Sequence, residues 1–547
     1  MKPIFEPTED GLEIIDRIER HRYRLTTHDS VSAEPVDCDR IQYPVDAAIK
    51  IETDKITLPT NHYVYIRDKD GSMIVEVKPD QQTFLPKGNY TLDLSGPLKV
   101  YAQVNNSVQV YSDPQRTHIG FGEPSPVILG ARSYHTRPAR TITTTSDPTD
   151  IMQAISMFGS ALKTKSPDRS YPTLRGHPPA LEIGDVFSVP DSLKQPKTGI
   201  RIEIPPTLRH TFVVAPLVYY LGAEVTSGSE PRLVTNTGYS HMLNGEKGFE
   251  ATIKRILKHI FFLDCVVRTE GISPLPLHER STIKSILEFD IESIYEKTLN
   301  EQLEAYLKVP FSVIEPYLPE WRLEIQLEPK SDIAEFLPFI SNYLATVNTN
   351  VKKGSNQHEN TDKVQAISEF TRNNFVRSTN PIRSNDSIPE QNNETVSPSI
   401  QQLWKGDNTS KIASTTPLSA FQNSIGRNPR EDPIEIEVIC NDSDMNEELE
   451  SVDGIYGDRE TLPFKVTAHH NITTAEFEGI LATECDFLHY IGHIDKDGFE
   501  CSDGKLDGAT IESSNVKAFL LNACQSHNQG LHLIEAGSIG GIVTLGM

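Results

Sequence analysis

Two segments near the C-terminal end each place a reactive side chain just past an apolar run. Phe487-Leu-His-Tyr-Ile-Gly-His493 ends in an imidazole, and Lys517-Ala-Phe-Leu-Leu-Asn-Ala-Cys524 ends in a thiol. A free thiol is only slightly ionised near neutral pH, and the thiolate is the nucleophile. An adjacent imidazole can take the thiol proton and later return it to a leaving amine. The tetrahedral intermediate also needs donors, which the backbone N–H of Cys524 and that of Ile494 could supply as an oxyanion hole. His493 and Cys524 therefore read as a pair for acyl transfer. Taken singly, a cysteine is more often a small buried hydrophobe and a histidine a hydrogen-bonded core residue. The matched placement of both at strand ends favours the reactive reading, because function in an open parallel sheet collects beyond the C-terminal ends of strands.

The elements that must position this pair span residues 431–547. Ile434–Cys440, Phe464–Thr467, Phe487–Ile491, Val516–Leu521 and Gly541–Leu545 read as strands. Thr473-Thr-Ala-Glu476 fits a capping box that opens a helix to about Leu481. Phe499–Cys501 and Lys505–Asp507 read as a hairpin around Ser502-Asp503-Gly504, and a second helix covers Leu531–Ala536. Strands alternating with helices predict a mostly parallel, doubly wound sheet.

With these residues in view, Leu488-His-Tyr-Ile-Gly-His493 and Leu521-Asn-Ala-Cys-Gln-Ser526 resemble the His and Cys motifs of CHAT domains, caspase-like cysteine peptidases. Ala523-Cys524-Gln525 also fits the caspase signature, from which Asn522 and Ser526 depart. The resemblance covers about residues 434–547. It implies a caspase-like α/β domain in which His493 and Cys524 are catalytic and His489 has a supporting role. The family usually has glycine after the catalytic histidine, where this chain has Ile494. The two catalytic positions are 31 residues apart, against about 50 in caspases. Measured against the family, a domain stopping at Met547 is incomplete at its C-terminus. The N-terminal 350 residues resemble leading regions of CHAT-containing proteins from salt-loving archaea, which implies no known activity for them.

Other groups carry weaker signals. Cys485, His489 and His493 are spaced four apart and on a helix would share a face able to bind zinc; the strand pattern over Phe487–Ile491 argues against it, and no cofactor or metal is expected. His469, His470, His527 and His532 fall in expected loops or turns. The acidic run Asp442–Glu450 could attract a basic substrate side chain, although such runs are usually solvated. Asp495 and Asp497 follow His493, but a dyad needs neither.

The rest of the chain divides by composition. Residues 1–46 look like a leader without sustained apolar period. Residues 47–112 read as a small antiparallel β module, a sandwich or barrel, with turns at Asp68-Lys-Asp-Gly71 and Asn105-Asn106. Residues 113–347 read as mixed α/β. Helices are expected at Ile151–Leu162, at 249–263 and over Tyr295–Tyr306, and a strand leading into a helix at His210–Leu221. Residues 348–430 are rich in Asn, Ser, Thr and Gln and read as a flexible polar linker, with one short helix near Val364–Phe370.

A net charge of −24, from 76 acidic against 52 basic residues, argues against nucleic-acid phosphates and anionic membrane surfaces as partners. No signal peptide is evident at Met1, and no run approaches the roughly 20 apolar residues of a membrane span. Six scattered cysteines lack a disulfide framework and point to a reducing cytoplasm. The expectation is a cysteine endopeptidase acting on a protein or peptide substrate, gated by the N-terminal domains or by a protein regulator. Its rivals are an inactive pseudo-peptidase that serves as an interaction scaffold and a zinc-stabilised binding module.

Overall fold

A computed structural model describes residues 2–349 except 80, 95, 273–276, 320 and 322; 399–425 except 407 and 408; 427; 433–442; 464–523; and 526–543. The chain is multi-domain with mixed α/β content and several sheets, and it divides into two compact units, residues 1–350 and 351–547. Among the described residues, no helix is long and apolar enough to cross a membrane.

The first unit begins with a ten-stranded sheet. Residues 1–46 are not a leader: Ile4–Thr8, Gly11–Asp16, His21–Thr27 and Glu34–Val36 are strands of that sheet. Leu12, Ile14, Tyr23 and Leu25 alternate into its core, a period too brief to stand out in the sequence. The sheet also extends past residue 112, through the strand Thr117–Arg132. Asn105-Asn106 is not a turn. Lys99–Ser112 is one continuous strand, and the two asparagines pair with Asn89 and Gly88. Val100, Ala102, Val104, Val108 and Val110 are all buried, so Asn106 keeps the inward parity of a strand. Its Nδ2 donates to Ser125 Oγ at 2.6 Å, which satisfies a polar group that the core would otherwise penalise.

Residues 133–349 belong to the same compact unit. Glu19 accepts from Thr136 Oγ1 at 2.9 Å, and Asp46 pairs with Lys163 at 2.9 Å, tying this region to the sheet. The segment expected as strand-then-helix is one helix, Leu208–Leu221, capped by Thr207 and ended by left-handed Gly222 at φ 55°. It is buried from Thr211 to Leu221, so it shows no polar face for periodicity to detect. The strand lies upstream, at Ile200–Ile204. The helix Phe249–Val267 carries Asp264, which is fully buried against Arg169 at 2.7 Å and accepts from Tyr220 Oη at 2.6 Å. Burial pushes the Asp264 carboxyl up to about 6, and the Arg169 charge partly offsets this.

In the second unit, the supposed linker contains structure. Ser399–Gly406 and Thr409–Pro417 form an antiparallel pair, followed by the helix Leu418–Ser424. Residues 351–398, including the helix expected near Val364–Phe370, lie outside the described residues. The C-terminal sheet has five parallel strands: Ile434–Cys440, Phe464–His470, Cys485–Ile491, Val516–Asn522 and Gly540–Ile542. Numbered in chain order, they lie 2-1-3-4-5 across the sheet. The helices Thr474–Ala482 and His527–Ala536 follow strands two and four. Phe477, Leu481, Leu533 and Ile534 pack them, with Ala420 of the preceding helix, onto Leu488, Tyr490, Phe519 and Leu521. Both crossovers step in the same direction along the sheet, so right-handed connections put both helices on one face.

Candidate functional site at the C-terminal ends of the parallel strands

Strand order reverses between strands one and three, which makes the gap beyond their C-terminal ends a topological switch point, where ligands bind in sheets of this kind. The strand ends there are level. Cys440 pairs with Ile491, and Ile491 pairs with Asn522 on strand four. Asp442, His493 and Cys524 each follow this row by two residues.

His493 is exposed, and its Nε2 lies 3.1 Å from Asp442 Oδ2, while Asp442 keeps only 15% of its side chain exposed. The backbone beneath this pair is clamped. The His493 carbonyl accepts from Tyr490 Oη at 3.0 Å and from Glu500 N at 3.0 Å. Tyr490 Oη also reaches Glu500 O at 2.9 Å, and its ring stacks on Phe477. Burial pushes the Tyr490 phenol well up, so it remains a donor at any ordinary pH. A Cβ on Gly492 would come within 2.9 Å of Tyr490 Oη, so glycine leaves room for the clamp. On the other side, Asn441 N donates to Ile491 O at 3.1 Å, its Nδ2 donates to Glu500 O at 2.8 Å, and its Oδ1 accepts from Ile472 N at 2.9 Å. Asn441 thus pins the chain immediately before Asp442.

Ile494 opens a three-stranded hairpin sheet, with Gly498–Cys501 and Gly504–Leu506. It keeps a negative φ, so this position does not require glycine. Since Glu500 N bonds to His493 O, the Ile494–Phe499 pair is a non-hydrogen-bonded one, and the Ile494 N–H points away from that partner strand. His489 is buried within strand three, and burial lowers its imidazole to about 4, which leaves it neutral at pH 7. Cys524 lies outside the described residues.

The remaining candidates are dispersed. Cys485 and His493 sit at opposite ends of an extended segment, roughly 25 Å apart by strand rise. Among the described residues, no three His, Cys, Asp or Glu side chains are grouped to hold a metal. Burial raises the Cys485 thiol and pushes that of Cys501 up to about 11. His527 and His532 lie in the helix His527–Ala536 rather than in a loop. His469 and His470 end strand two, and His469 Nε2 meets Glu437 Oε2 at 2.6 Å. Asp495 pairs with Lys505. Asp442 stood out in the sequence only as part of an acidic run, and Tyr490 and Asn441 not at all; the register of strands one and three is what makes them neighbours of His493.

No family model matches the chain, and no curated protein matches it. One solved structure is similar over part of its length: an alpha-galactosidase from Thermus thermophilus in complex with p-nitrophenyl alpha-D-galactopyranoside. The identity is 8% and the TM-score 0.15, over 29% of this chain and 39% of the galactosidase chain. The match therefore spans well under two thirds of that enzyme.

Proposed function

We propose that the second unit carries a caspase-like, CHAT-type cysteine endopeptidase centre with His493 and Cys524 as its dyad. The observation that supports this most is the level row Cys440–Ile491–Asn522 at the switch point, with His493 and Cys524 each two residues beyond it. In this reading His493 takes the Cys524 thiol proton, and the thiolate adds to the scissile carbonyl carbon. The amide N–H groups of Ile494 and Cys524 hold the oxyanion. Collapse breaks the C–N bond, and His493 gives its proton to the departing amine. Water, deprotonated by His493, then cleaves the thioester and restores the thiol. Protein or peptide is the substrate class, and the first unit, or a protein acting through it, gates access.

The test is labelling of the full chain with a peptidyl acyloxymethyl ketone, read by peptide mass mapping. An adduct at Cys524 is expected, absent in Cys524→Ala and reduced at least tenfold in His493→Ala, in line with the general-base contribution. A folded chain with no adduct across a panel of such probes would leave the scaffold reading in its place.

A further inference from the structure

We infer that the first unit binds a free saccharide in a cleft on its ten-stranded sheet, through side chains that have no partner within the chain. The site lies wholly in that unit and does not depend on the peptidase reading above.

The floor of the cleft comes from two paired strands. In Thr83–Leu94, Leu92 and Leu94 face the main core, so Asn89 and Thr91 face the opposite way. Gln103 of the strand Lys99–Ser112 stands directly opposite Thr91 and alternates with the core residues Ala102 and Val104. Two further segments make the walls. One is the turn Cys38–Arg40 with Gln42 after it, held down by buried Ile41 and by Tyr43, whose ring stacks on Tyr101 at 4.6 Å. The other is the hairpin turn at Lys69, where Asp68 Oδ1 accepts from the N–H groups of Asp70 and Ser72, each at 2.9 Å. The walls pack on each other: a Cβ on Gly71, at φ 84°, would come within 3.1 Å of Gln42 Nε2. The space between them is about 420 Å³, within the roughly 300–1,000 Å³ usual for small-molecule sites.

The backbone is thus fixed, while the side chains on it are uncommitted. Thr91 keeps only 4% exposure and lines the cleft, yet its hydroxyl has no hydrogen-bond partner among the described residues. A buried polar group normally has one, in the protein, in water or in a ligand. Asn89 and Gln103 beside it are also without a side-chain partner among the described residues, and so are Asp39, Arg40, Gln42 and Lys69 on the walls. Asp39, Arg40 and Lys69 bring both signs of charge, so a simple anion would meet Asp39 and a simple cation would meet the other two. Each amide offers two N–H donors and a carbonyl, and the threonine hydroxyl donates and accepts. A ligand whose every polar group also does both satisfies such a lining, and sugar hydroxyls have this character. An apolar ligand would leave the amides and the hydroxyl desolvated and unpaired. The Tyr90 hydroxyl already donates to Pro86 O at 2.8 Å. What Tyr90 offers the cleft is therefore its ring, a surface for the C–H face of a sugar.

The test is titration of the full chain with free glucose, galactose, mannose, N-acetylglucosamine and their disaccharides, read by calorimetry and saturation-transfer NMR. At least one should bind, at one site per chain, with a millimolar or tighter dissociation constant. Thr91→Val keeps the side-chain shape and removes the hydroxyl, and it should weaken binding about three- to tenfold. Gln103→Ala should do the same, and the two together should lose more than either alone. Lys69 is exposed, so Lys69→Ala should weaken binding without moving the thermal midpoint, and it replaces Thr91→Val if that variant fails to fold. A folded chain that binds no sugar of the panel at millimolar concentration overturns the inference. Binding that is unchanged in Gln103→Ala and Lys69→Ala belongs elsewhere on the chain and overturns it too. Tighter binding of inorganic phosphate or citrate than of any sugar overturns the ligand class.

Discussion

The His493 carbonyl takes one hydrogen bond from Tyr490 Oη and another from Glu500 N, each at 3.0 Å. Replacing Tyr490 by Phe keeps the stacked ring and removes only the donor. The change should destabilise the second unit by about 1–3 kcal/mol and slow electrophile labelling at Cys524. Urea unfolding and the labelling rate check both effects. Loss of stability with unchanged labelling would show that the clamp does not reach the imidazole. His493 was legible in the sequence because it ends an apolar run. Tyr490 was not, because a tyrosine inside such a run reads as core. Asp442 was hidden differently: its meaning depends on Cys440 standing level with Ile491, and pairing between segments far apart in the chain leaves no local trace.

At the scale of elements, local signals did well where one residue decides. Thr473 and Glu476 cap the helix Thr474–Ala482 reciprocally, as the capping box predicts. Thr473→Ala should cost about 1 kcal/mol, visible as a lower unfolding midpoint; no change would mean that the Thr474 contacts to Asp503 hold the helix end alone. Strands one, three and four were legible from apolar runs beginning within two residues of their observed starts. The failures share a cause. Asn105-Asn106 carries a turn signal, yet Asn106 finds Ser125 as a partner and the strand runs through. Leu208–Leu221 is helical yet apolar on all sides. In both, the surrounding tertiary structure overrode a local preference.

At the scale of the whole molecule, four histidines are buried among the described residues: His135, His177 and His259 in the first unit, and His489 in the second. Burial lowers His177, His259 and His489 to about 4 and His135 well below its ordinary value. Their unfolded counterparts titrate near 6.5, so between about pH 6.5 and 4 the unfolded chain binds more protons. Stability present above that window is lost as pH falls through it, on the order of 3 kcal/mol for each of His177, His259 and His489. Asp264, raised to about 6, works in the opposite sense over part of the range. Thermal melts between pH 7 and pH 4 should therefore show steep acid loss. His489→Gln should flatten the loss in the second unit, and a melt that stays level over this range would contradict the account.

The row Cys440–Ile491–Asn522 also has a history within each molecule's synthesis. Parallel neighbours cannot form by a tight turn and need a crossover, so contacts of this kind form slowly. The ten-stranded sheet of the first unit, antiparallel throughout, can assemble while the ribosome is still making the second unit. Asn522 reaches the row only after the 521 residues before it have been translated. A centre built across these strand ends therefore comes together after the first unit has had time to fold, and the unfinished segments of that unit are not exposed to it.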